Sequence, residues 1–371
     1  MMENSNTKIL LQLLRIALGN DNSYKISKKT PINWNEVIKL ATSQGLDAIA
    51  FDGLVSVFNH STQEDISIIE DSLGSKKYEW FGCTLQAEQD YEDYRKTLHD
   101  LVSFYNAESI PVLLLKGYGL SLNYPIPSHR PTGDIDIYLF GEWKHADQII
   151  SAKKSIRIDN SHHHHSVFRF NGRSVENHYD FLNIYAHGSS RRVETILKEL
   201  ASNEWETCQL EETTLRLPSA NFNALFILRH NASHFASVNM NLRQVLDWLL
   251  FVKQHHNQVN WTWLYGVLRR ENMIHFANSL NAIGVDYFGF ERSLFPEIEE
   301  DCVLVKRVFN EIIHPSYSEK ENGSLAKSLW VKPSRWWCNR WKHRICYSDS
   351  LISSFLHSLY AKILKPNHFL N

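Results

Sequence analysis

Asp134-Ile135-Asp136-Ile137-Tyr138-Leu139 alternates polar and apolar residues with a period of two. Successive side chains on a strand point to opposite faces, so this stretch reads as a strand with both acids on one face. Upstream, Ile110 to Leu115 (IPVLLL) is a short apolar run suited to a buried strand, and it ends in Lys116-Gly117. Residues 118–124 read as a short helix, and Pro125, Pro127 and Pro131 mark a loop before the alternating strand. Residues 143–154 read as a helix, and 165–171 and 173–181 as two strands joined around Gly172.

The flanks are helical. Residues 7–19 read as a helix ending at Gly19, 34–43 as one started by Asn33 or Asn35, and Leu46 to Phe58 as a third. In 84–107, Tyr94, Leu98, Leu101 and Tyr105 recur at helical spacing, with charged residues on the other faces. From about residue 190 the chain reads as helical again. Ser219 caps a helix to about His234, followed by helices at 240–255, 261–282 and 300–313. The expected fold class is α+β: a small mixed sheet with packed helices, flanked by helical segments. The expected divisions are a helical segment at 1–83, a core at 84–190 and a helical segment at 191–371.

Composition narrows the partners. Of the 371 residues, 43% are hydrophobic and 22% charged, as in a soluble globular chain, and a net charge of -2 supplies no global field for nucleic acid or membrane. The five cysteines (Cys83, Cys208, Cys302, Cys338, Cys346) contain no CxxC, which argues against a zinc knuckle or redox motif and suits a reducing compartment. Met1 to Lys8 is polar, and no apolar run approaches the roughly 18 residues of a membrane helix. A cytoplasmic protein is expected.

The chemistry centres on the acids. Asp134 and Asp136 on one strand face repel each other unless a cation lies between them. Mg²⁺ takes hard oxygen ligands, few of them from protein, and completes its shell with water and substrate phosphates. Glu176, on a later strand, supplies a third carboxylate that binds a second ion or takes a proton from an attacking hydroxyl. Gly117 lets backbone N–H groups approach a phosphate, and Lys116 and Arg130 offer it positive charge. The plainer alternative is a pair of solvated acids on a surface strand beside an ordinary turn.

The stretch LLLKGYGLSLNYPIPSHRPTGDIDIYL (113–139) resembles the KG…Y…R…DiDl signature of the uncharacterised nucleotidyltransferase family of the polymerase β-like superfamily. VENHYDF (175–181) is similar to its later E-x-H strand, and 228–252 to its downstream helical His/Asp region. The resemblance runs with gaps from about 35 to 255. It implies a small mixed nucleotidyltransferase sheet that binds an NTP with Mg²⁺ or Mn²⁺. It matches Asp134, Asp136 and Glu176 to the metal-binding carboxylates and Gly117 to the helix-opening glycine. The function it implies is transfer of a nucleoside monophosphate from the NTP to an acceptor hydroxyl of unspecified identity. Where the superfamily usually has Gly-Ser, this chain has Gly117-Tyr118, which keeps a non-catalytic nucleotide-binding protein as the alternative.

Four further features stand outside that core. His162 to His165 reads as a solvated loop able to take a transition metal adventitiously, or, for His165, as a neighbour of the active site. His178 shares the face of Glu176, where it orients that carboxylate, contacts substrate or sits in the core. His230 and His234 are four apart on a helix, as are Arg243 and Asp247 on the next. An inter-helix cluster or a cleft lining fits them better than zinc, because HNASH lacks the glutamate of a zinc protease. Segment 330–344 interleaves Trp330, Trp336, Trp337 and Trp341 with Lys332, Arg335, Arg340, Lys342, His343 and Arg344. The simplest reading packs its tryptophans on the body, while a membrane- or RNA-binding surface is the alternative.

Overall fold

The structure is a computed structural model that describes residues 5–24, 26, 32–185, 187–237, 239–316, 338–350 and 352. Six strands pair into one mixed sheet: β1 (Leu113–Leu115), β2 (Ile135–Tyr138), β3 (His165–Phe170), β4 (Arg173–His178), β5 (Trp205–Leu210) and β6 (Thr213–Pro218), in the order β3-β4-β2-β1-β6-β5. β1 runs antiparallel to β2, with Leu115 opposite Asp136. β2 runs parallel to β4, with Asp136 beside Glu176, and β3 is antiparallel to β4, with His165 opposite His178.

Strand periodicity divides these residues between two faces. Leu114, Ile135, Ile137, Phe168, Phe170 and Val175 join a core with Tyr94, Leu98, Leu101 and Tyr105 of α5 (Lys76–Ala107) and Ala146 and Ile150 of α7 (Trp143–Lys154). Leu113, Leu115 and Tyr138 face the other way. They join a larger core with α9 (Ala220–Ser237), α10 (Leu242–His255) and the N-terminal helices α1 (Ser5–Ala17), α2 (Trp34–Ser43) and α3 (Asp47–His60). Burying one leucine such as Leu113 or Leu115 contributes roughly 1.5–3 kcal/mol, so β1 is anchored from this side by two residues. Asp136 and Glu176 share that second face, at the end where the helices leave a cleft.

The α+β class and the helical flanks are as expected, with Asn33 capping α2 through Glu36 N and Ser219 accepting from Phe222 N at the start of α9. Two elements differ from the sequence reading. The β5–β6 hairpin lies where only helices were expected. It is an edge hairpin: β5 buries fully only Leu210, and its turn uses Glu211 at positive φ without the Asn-Gly or Asp-Gly that announces a hairpin. The single helix expected over 261–282 is two, α11 (Trp261–Arg270) and α12 (Ile274–Phe288). Asn272 takes a left-handed conformation (φ 57) between them, which asparagine tolerates better than most residues and which no hydrophobic period reports. Among the described residues, no helix is long and apolar enough to cross a membrane.

Candidate active site

β1 ends in a strained turn. Lys116 has φ 47 and ψ −126, and Gly117 follows at φ 30 to open α6 (Gly117–Ser121). A lysine in this region of backbone space is costly, and such strain is commonly held where a site needs it. The turn lies tight against α5, because a Cβ at position 117 would collide with the Tyr94 hydroxyl oxygen. It aims the Lys116 ammonium across the sheet to Asp136, with Nζ 2.9 Å from Oδ1.

Asp136 is nearly buried and receives a second partner, His178 Nε2, at 3.0 Å. His178 Nε2 is also 3.3 Å from a Glu176 oxygen, and its Nδ1 lies 3.2 Å from the Asp180 carbonyl, to which it can donate. Asp136, Glu176 and His178 thus place three ligand atoms within 4.8 Å of one another. Burial would raise the Asp136 carboxyl, but Lys116 and His178 together hold it well below the usual carboxylate range. Burial and repulsion by Asp136 would raise Glu176, but the His178 hydrogen bond and the charges of His165 and His178 together lower it. Burial would lower His178, but hydrogen bonding to the two carboxylates raises it. Asp134, exposed at the mouth, is shifted up by partial desolvation and by Glu176. Two carboxylates that already draw an ammonium and an imidazole onto themselves, with a third at the mouth, form a donor set that fits a hard divalent cation.

A cleft of about 570 Å³ gathers these residues. Lys116, Gly117, Arg130, Asp134, Asp136, Glu176 and His178 all line it, so every residue singled out from the sequence for metal or phosphate reaches one space. Arg130 is not a loose cation. Its Nε and Nη2 donate to Asp247 at 2.8 and 3.0 Å, and the Tyr124 hydroxyl donates to the same carboxylate at 2.7 Å. The planar fork of arginine matches a carboxylate in this way, and Asp247 therefore fixes where the guanidinium faces.

His230, Asn231 and His234 of α9 and Arg243 and Gln244 of α10 form the opposite wall, so the two helical pairs line the cleft, and Asp247 meets Arg130 instead of α9. The histidine run departs from the solvated-loop reading. His164 is half-buried, His165 is buried, and both line the cleft, because β3 begins at His165 and lays it opposite His178. Tyr118 points away, into the opposite core beside Tyr91, so no hydroxyl from position 118 reaches the cleft. Of segment 330–344, Trp330, Lys332, Arg335, Trp336 and Trp337 lie outside the described residues. Trp341 packs on Phe235 under Arg307, and Lys342 is buried against Glu311 at 2.8 Å.

A family model described as uncharacterised nucleotidyltransferase matches residues 30–281, more than half of the chain. The chain belongs to that family. One solved structure, an antigenic nucleotidyltransferase-like protein from Paracoccidioides brasiliensis, is similar at 12% identity over 56% of this chain and 94% of its own, with a TM-score of 0.36. No curated protein matches the chain. Within this chain, sequence reasoning missed Asp247 as the holder of Arg130, Tyr124 as a donor to Asp247, and His164 as a lining residue. Asp247 lies 117 residues from Arg130 and 123 from Tyr124, so neither contact carried a local signal. A run of four identical residues has no period from which to read a face.

Proposed function

We propose that this nucleotidyltransferase moves a nucleoside monophosphate from an NTP to an acceptor hydroxyl, using Mg²⁺ or Mn²⁺ held by Asp134, Asp136 and Glu176. The observation that carries this reading is the register of β2 on β4, which sets Asp136 beside Glu176 while the Lys116-Gly117 turn ends the next strand in the same cleft. Bound divalent ions supply charge stabilisation to the attacking and leaving oxygens of an in-line displacement.

The chain's own residues do the rest. Asp136 and Glu176 orient the ions, with His178 fixing both carboxylates. Lys116 moves from Asp136 to the triphosphate, and Arg130, held by Asp247, faces the departing pyrophosphate. The acceptor oxygen bonds to the α-phosphorus, the bond from that phosphorus to the bridging oxygen breaks, and pyrophosphate leaves with the electron pair. Glu176 takes the hydroxyl proton. Pyrophosphate release that requires a divalent ion, and that falls by about 100-fold or more in Asp136→Asn, tests the reading.

One observation favours a second reading. With Tyr118 turned into the opposite core, phosphate binding lacks the hydroxyl of a Gly-Ser pair. A chain that binds NTP and releases no pyrophosphate would be a nucleotide-binding protein without transfer activity.

A further inference from the structure

The cleft contains a nitrogen-rich corner of which the transfer reading uses only His178. His164, His165 and His178 bring ring nitrogens within 4.8 Å of one another. Antiparallel pairing of β3 with β4 sets His165 opposite His178, with ring centroids 5.1 Å apart, and His164 turns edge-on to His165 at 4.3 Å.

Among the described residues, His164 Nδ1 and both ring nitrogens of His165 are buried without a hydrogen-bond partner. His165 is only 6% exposed, and its Nε2 stands 3.8 Å from Glu176, beyond hydrogen-bond reach. Buried polar atoms are normally paired, and leaving one bare is costly. One nitrogen from each ring meets at this corner, and the unpaired rings of His164 and His165 point to a missing partner that accepts a lone pair from each. His178 is already oriented for such a partner. Its Nδ1 is turned to the Asp180 carbonyl, the backing that metal-ligating histidines commonly have, and its Nε2, which contacts Asp136 at 3.0 Å and Glu176 at 3.3 Å, is the nitrogen that an ion would take over from the carboxylates.

We propose that His164, His165 and His178 bind a divalent first-row transition ion of the zinc class, beside the carboxylates. Imidazole nitrogens suit zinc, iron and copper, whereas magnesium takes oxygen. The site therefore selects a different ion from the one that carboxylates alone would take.

Co²⁺ is the probe, because its visible absorption reports nitrogen ligation and needs no nucleotide. The expected result is a band that saturates at one equivalent, persists in excess Mg²⁺ and is displaced by Zn²⁺. His164→Ala/His165→Ala weakens it by about 100-fold or more, and His162→Ala/His163→Ala keeps it. Absence of a band, or a band lost in the His162/His163 pair and kept in the His164/His165 pair, overturns the proposal. If the His164/His165 variant does not fold, X-ray absorption of the Zn²⁺-loaded wild-type chain decides. A first shell with three imidazoles supports the site, and one of oxygen ligands alone removes it. A chain that shows the Co²⁺ band but transfers no nucleotide retains this inference and loses the transfer reading. One that transfers with Mg²⁺ but shows no band does the reverse.

Discussion

Gly117 has its place because the backbone there is both twisted and crowded. Its φ of 30 disfavours a side chain, and the Tyr94 hydroxyl occupies the space a Cβ would need. Gly117→Ala should cost about 1–3 kcal/mol of stability. Gly133→Ala, where nothing lies within 4 Å of an added Cβ, should stay within about 0.5 kcal/mol. Urea unfolding of the two variants checks this, and equal midpoints would show that the turn is not constrained as described. At this scale much of the site was legible. Asp134, Asp136, Glu176 and His178 announce themselves because strand periodicity sorts residues two apart onto one face. What was not legible is the partner of each: nothing near Arg130 in the chain signals that it meets Asp247.

The elements explain why that pair matters. α10 starts with a capping box, in which Asn241 and Gln244 exchange hydrogen bonds, and then buries most of its length. It carries Asp247 to a loop that begins the alternating strand. Arg130 and Asp247 are both nearly buried, so removing one leaves the other's charge uncompensated. Asp247→Ala should therefore cost about 3–5 kcal/mol, read by chemical denaturation. A loss below about 1 kcal/mol would mean that water replaces the carboxylate and that Arg130 is not fixed. The same scale shows where sequence patterns fail. β2 and the helices were readable from their periods, whereas the β5–β6 hairpin was not, because an edge strand with Trp205, Glu206 and Thr207 exposed has little apolar alternation to show.

Across the whole molecule, the sheet and α9 enclose a cleft in which the α9 histidines, His230 and His234, are held toward the neutral form. Burial, assisted by the Lys116 charge, holds His230 well below its ordinary value and brings His234 to about 4. Both would take protons in the unfolded chain below about 6.5, so between pH 6.5 and 4 the unfolded state binds more protons than the folded one. Their contribution is complete above pH 6.5 and is lost as pH falls toward 4. His234→Gln should flatten that loss, as read from urea midpoints across the window, and an unchanged slope would show that His234 titrates normally. The walls of this cleft surround the proposed metal-dependent nucleotidyl transfer site. Its most direct test follows α-labelled NTPs, each with Mg²⁺ or Mn²⁺ and a cell extract as the acceptor source, in the wild-type chain and in Asp136→Asn. The prediction is ion-dependent pyrophosphate release with label on an acceptor for the wild type, and neither for the variant. Equal release from both chains, or none from the wild type with any NTP, would contradict it.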